Sequence, residues 1–347
     1  MKNISINNTK DEWIAILPIT NLLLSKLVKN EFSIDRVTFV TQEKLQSIQR
    51  RLKLPERLSH IKKNRFVSDF LNKNKTFAYM FMTGEMTNVK KEVYRIVNDE
   101  LAILASSLLG LKKRSNFIAP RISGFNVSHI QSNLIIGRKT KNFQASLSVR
   151  DLNSKLTFNQ FWIRSAKERF FTKALKIVNG KYNVADSWRK SLKRALILIG
   201  KSQTTRNVAD AFLWNMIAME MLVTVQGDKY KEMIPERLES LLGWVGYWKD
   251  HEFPKKIQTL YDKRCRYVDD GNSNIINIYD LIFSDELLCN LMSNLIKLHN
   301  IFKSKKSLID FAQKVNAENI LGIKSKTRPK TLSYYRTFYS PNDLSKL

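Results

Sequence analysis

The sequence predicts an α+β domain followed by an all-α helical bundle. Up to about residue 154, β-branched and aromatic stretches alternate with helical periodicity. Beyond it, apolar residues recur at three- and four-residue steps with little strand signal. Charge is the third guide, because 59 Lys and Arg face 31 Asp and Glu, a formal +28. The expected organisation is an α+β domain over 1–154, a helical domain over 155–322, and a basic, aromatic tail over 323–347.

The first half opens its structural signal with RVTFV (Arg36–Val40) and TFAYMFMTG (Thr76–Gly84), whose composition is that of strands. Between them Leu45–Phe66 reads as a basic helix broken at Pro55. Asn88–Leu111 is the clearest helix here: Val93, Ile96, Val97, Leu101, Leu104 and Leu108 share one face, and Gly110 offers a stop. FIAPRISGFNV, SNLIIG and FQASLSV then read as short strands and turns.

In the second half six stretches are helical in period: 158–178, 186–200, 205–225, 234–245, 253–268 and 279–302. Five or six helices with so little strand signal imply a bundle.

A net charge of this sign concentrates polyanions, nucleic acid first and an anionic membrane second. From Arg164 to Arg206 twelve basic residues meet only Glu168 and Asp186, a net +10. Arg164, Lys167, Arg189, Lys190, Lys193 and Arg194 are therefore candidate phosphate contacts. The tail interleaves Lys324, Lys326, Arg328, Lys330 and Arg336 with Tyr334, Tyr335, Phe338 and Tyr339. Such aromatics either stack unpaired bases or pack the tail onto the body.

Several classes are disfavoured. Cys265 and Cys289 form no C-x-x-C pair, and His60, His129, His251 and His299 are scattered, so neither a disulfide framework nor a local zinc site is expected. No P-loop or G-x-G-x-x-G cradle is present; LIGKSQTT lacks the upstream glycine. The start has no secretory leader pattern, and apolar runs such as ALILIG are too short to span a bilayer. The chain reads as cytoplasmic, off the membrane and free of cofactors.

Three features of the second half follow in order. FLWNMIAMEMLV carries one acid, Glu220, among apolar residues. PERLESLLG (Pro235–Gly243) is an arginine-led helix closed by glycine, and IQTLYDKRCRYVDDG (Ile257–Gly271) sets Lys263, Arg264 and Arg266 before two aspartates. Taken alone, the last stretch fits an ordinary surface helix with Arg264, Arg266 and Asp269 in salt bridges.

Taken together the three resemble the Apea-like branch of the HEPN superfamily, found among bacterial abortive-infection and antiphage proteins. The family pattern is an arginine, often followed by serine, with a histidine four to six residues on. Here Arg264 matches the arginine, Cys265 stands for the serine, and Asp269 occupies the histidine's place.

The resemblance implies an HEPN-like bundle, an RNA substrate and metal-independent cleavage by the neighbouring 2′-hydroxyl. It also implies pairing of two copies, or of this chain with another defence protein, around one cleft. By that resemblance Glu220 would hold Arg264, and Lys263 and Arg266 would add phosphate contacts. Histidine suits a proton shuttle near neutral pH, whereas a carboxylate with a reference pKa near 3.9 is ionised there and repels phosphate. Asp269 therefore puts cleavage in doubt, and RNA binding is the firmer expectation. The other reading is a non-enzymatic nucleic-acid-binding or scaffold protein that uses its bundle to dimerise.

Overall fold

A computed structural model of the chain describes residues 12–48, 75–111, 114, 119–122, 130–136, 143–149, 155–243, 252–323, 326–329 and 332–344. Most of the expected basic helix over 45–66 lies outside them. The chain divides into two units. One comprises 1–32, 38–94 and 117–158; the other comprises 33–37, 95–116 and 159–347. The expected division at 154 was contiguous, and this one is not: the long helix of the first half runs on into the helical unit.

In the first unit strands β1 (Glu12–Thr20), β3 (Glu31–Ile34), β4 (Val37–Thr41), β5 (Thr76–Thr83) and β6 (Arg121–Ile122) form one sheet in the order β3-β4-β5-β1-β6. β1 lies antiparallel to β5 from Glu12↔Thr83 to Ile19↔Thr76. The sequence reading did not mark β1, whose apolar run does not alternate and contains Pro18. Pro18 stands opposite Phe77 of β5.

Val40, Phe77 and Tyr79 of the sheet pack with Leu45 of α1 (Gln42–Ser47) and with Ile48. β2 (Leu22–Leu23) pairs in parallel with β9 (Leu156–Thr157), and β7 (Ile130–Ile136) with β8 (Phe143–Val149) forms a separate antiparallel hairpin.

α2 (Met86–Ser106) leads to the helical unit, which holds α3 (Gln160–Glu168), α4 (Phe171–Val178), α5 (Asp186–Thr204), α6 (Val208–Val223) and α7 (Tyr230–Leu238). α8 (Phe253–Asp270), α9 (Ile278–Lys297), α10 (Lys305–Ile320) and a final turn α11 (Pro341–Leu344) complete it. One expected helix, 158–178, is broken at Arg169 and Phe170 into α3 and α4.

Local chemistry sets the ends. Asn207 caps α6, and an Asn277–Asp280 capping box starts α9. α8 has Pro254 in its first turn, and Gly271, at φ 66°, stops it in the left-handed conformation. α6 is apolar nearly all round and lies between α5 and α9. α9 is covered even more fully, with every residue from Leu287 to Ile296 buried.

Candidate functional site

α8 buries Phe253, Ile257, Leu260 and Tyr261, and its period brings Arg264 next along that stripe. There the guanidinium meets Glu220 of α6. Arg264 Nη2 donates to Glu220 Oε2 at 3.1 Å, and Nε lies 3.0 Å from Oε1. The Nε approach is too far off line for a hydrogen bond, so those two buried atoms share only a charge contact.

The pair is largely desolvated, with side-chain exposures of 23% for Arg264 and 10% for Glu220. Burial pushes the Glu220 carboxyl above its ordinary pKa, and Arg264 opposes that without cancelling it. The same burial, with Cys265 as neighbour, pushes the Tyr261 hydroxyl up to about 12.

Two more side chains of α8 reach acids in the first turns of α9 and α6. Lys263 donates to both oxygens of Asp280 at 2.8 and 2.7 Å, and the Tyr267 hydroxyl donates to Asp210 at 2.6 Å. The sequence reading assigned neither acid, although both sit at cap-proximal positions where carboxylates are common.

Asp269 lies elsewhere. Five residues beyond Arg264, it is turned by about 140° around α8. It is exposed in the last helical turn, where the helix dipole disfavours further negative charge. Among the described residues neither Asp269 nor Arg266 has a hydrogen-bond or ion-pair partner, so the surface salt bridges that the bare sequence allowed do not form. His299 packs edge-on against Tyr182, 4.4 Å between ring centres. Burial, and then the charge of Lys173, lower its pKa.

The basic segment is less free than its count suggests. Arg164 pairs with Glu168 at 2.7 Å, Arg189 pairs with Asp186, and Lys193 bridges Asp35 and Glu100. Lys167, Lys190 and Arg194 are exposed and have no such partner among the described residues. Of the predicted phosphate contacts, these three and Arg266 are the exposed cations left open to an external anion among the described residues.

PERLESLLG proves structural at its arginine. Arg237, 5% exposed at its side chain, donates to the Val223 carbonyl at 2.7 Å and grips Asp228 at 2.5 and 3.0 Å. It thereby closes the α6–α7 turn and satisfies a free carbonyl at the end of α6. A second buried cluster joins Arg114 to Asp285 at 2.5 and 2.6 Å and to Ser202, with Asn215 also on Asp285 at 2.8 Å.

Among the described residues no group of His, Cys, Asp and Glu could hold a metal ion, and no helix is long and apolar enough to cross a membrane. Comparison with known proteins finds no match, whether with family models, characterised sequences or solved structures.

Proposed function

We propose that the helical unit is an HEPN-like, RNA-engaging module of the bacterial defence or toxin type, which binds RNA on a ribonuclease frame without cleaving it. The Glu220–Arg264 pair across α6 and α8 carries this reading. A desolvated carboxylate fixes a guanidinium whose planar donors suit phosphate, and pre-positioning of that kind serves anion recognition. Lys167, Lys190, Arg194 and Arg266 supply the electrostatic affinity.

Cleavage by the 2′-hydroxyl needs a proton acceptor beside the cation that steadies the phosphate. Asp269 is turned away from Arg264, which favours binding over cleavage. Val268 and Tyr279 are 50% and 65% exposed next to Arg264-bearing and Asp280-bearing turns. They favour pairing with a second copy or another protein as part of the same function.

The test incubates end-labelled single-stranded RNA with the protein in EDTA, alongside Arg264→Ala and a Lys190→Ala/Arg194→Ala double variant. Intact RNA that shifts on a gel is expected. The double variant should lower the slope of log affinity against log salt by about 1.4, about 0.7 for each lost contact on a single strand. Fragments ending in cyclic phosphate, and lost in Arg264→Ala, would overturn the binding-only reading. No shift even at low salt would sink RNA engagement altogether.

A further inference from the structure

From Leu332 to Ser340 the tail is neither helix nor strand, and beyond Ser333 its exposure alternates. Tyr335, Thr337 and Tyr339 are half-buried, while Tyr334, Arg336 and Phe338 face out. Period-two burial is the mark of an extended segment with one side on a surface. That surface is a face of α9 on which Glu286, Asn290 and Asn294 stand at successive four-residue steps.

Each asparagine reads one tail residue through its backbone. Asn290 accepts from Tyr335 N at 2.6 Å and donates to Tyr335 O at 2.9 Å. Asn294 accepts from Ser333 N at 2.7 Å and donates to Ser333 O at 3.1 Å. Two side-chain amides thus do what a neighbouring strand would do, at alternate residues and without regard to side-chain identity. Glu286 adds the Tyr334 hydroxyl at 3.2 Å, and the Arg169 guanidinium lies 5.1 Å from the Tyr335 ring centre. Under the tail a cavity of about 20 Å³, room for one water, is lined by Gly110, Gln203, Asp285 and Cys289 from the body and by Thr337 and Tyr339 from the tail.

This interface differs from the rest of the core. The covered stripe of α9 is polar, whereas its other sides are buried under helices. Lifting the tail would hand the asparagines and Glu286 to water, which hydrogen-bonds them as well. Such a contact opens at a lower free energy than the fold as a whole.

We propose that residues 332–340 are a releasable self-ligand: the Glu286–Asn290–Asn294 face is a groove for an extended peptide, held shut by the chain's own tail, and its opening bares the Cys289 pocket. Because the amides read backbone, a free peptide of the same sequence fits the groove once the resident tail is weakened.

Cys289 reports on the groove directly. The full-length protein carrying Cys265→Ser leaves it as the single thiol, and its reaction with a disulfide reagent is followed under native conditions. In Tyr335→Ala/Tyr339→Ala labelling should speed up by at least about tenfold, the response of an opening equilibrium to two lost anchors. A synthetic peptide spanning 332–340 in excess should restore the slow rate. In the otherwise unaltered tail, labelling at sub-denaturing urea should respond to urea far less steeply than global unfolding does. Labelling that follows global unfolding in both urea dependence and free energy would overturn the proposal, as would a double variant that the peptide fails to protect.

Discussion

Glu100→Gln tests the electrostatics of the helical unit most directly. Glu100 on α2 is 1% exposed at its side chain and takes Lys193 Nζ on Oε1 at 2.7 Å; the same ammonium lies 2.6 Å from Asp35. Its other oxygen, Oε2, is buried with no hydrogen-bond partner among the described residues. The two partners respond differently. Burial works against the Lys193 charge, but two carboxylates outweigh it and raise its pKa. Glu100 is pushed up from 4.5 to about 7, because burial of an oxygen left bare outweighs one ammonium that it must share.

That displacement corresponds to about 3 kcal/mol, at about 1.4 kcal/mol per pKa unit. A carboxyl raised in the folded state binds its proton more tightly there than in the unfolded chain. Its stabilising contribution is therefore fully present below pH 4.5 and lost as pH rises through about 7. Glutamine keeps the shape and the acceptor without titrating, and Lys193 keeps Asp35. Denaturant unfolding of both proteins at pH 4.5, 6 and 8 should show the variant gaining on the wild type across that window, by about 2–3 kcal/mol in total. A difference that stays constant from pH 4.5 to 8 would refute the reasoning, for Glu100 would then titrate at its ordinary value.

Two further substitutions probe the packing of the same unit. A Cβ on Gly200 would run into the backbone of Ala102 where α5 crosses α2, so Gly200→Ala should cost about 3 kcal/mol and lower the melting temperature by several degrees. A melting temperature within a degree of the wild type would mean the two helices do not cross so closely. Arg237→Met removes the cation and leaves Asp228, partly covered, with the Val225 N–H as its hydrogen-bond donor, and should cost about 2–3 kcal/mol in denaturant unfolding. A loss below about 1 kcal/mol would show that Arg237 is not the clasp of the α6–α7 turn.

The period of apolar residues placed α2, α5, α6, α8 and α9 in the sequence to within a few residues, because a helix that buries one stripe must repeat it every turn. α10 was overlooked: its buried Leu308, Phe311, Ala312 and Val315 form a narrow stripe diluted by lysines and asparagines. β1 was overlooked because its residues from Trp13 to Ile19 are apolar without polar alternation and include Pro18. Glu220 stood out as one acid in an apolar run, and the resemblance already paired it with Arg264; the α6–α8 crossing supplies the geometry that brings the two together, 44 residues apart.

Composition and period, then, were enough to establish a sheet-bearing first part, a helical second part and a strong positive charge. They are properties of each residue and its near neighbours. Folding in three dimensions settled which of these cations remain open, since Arg164, Arg189, Lys193 and Lys263 are each paired while Lys190, Arg194 and Arg266 have no partner among the described residues. It also settled that α9, polar along one side, would be covered by the tail through Asn290 and Asn294. Charge pairing and backbone capture depend on distances across segments far apart in the chain, and a linear pattern carries no such distance.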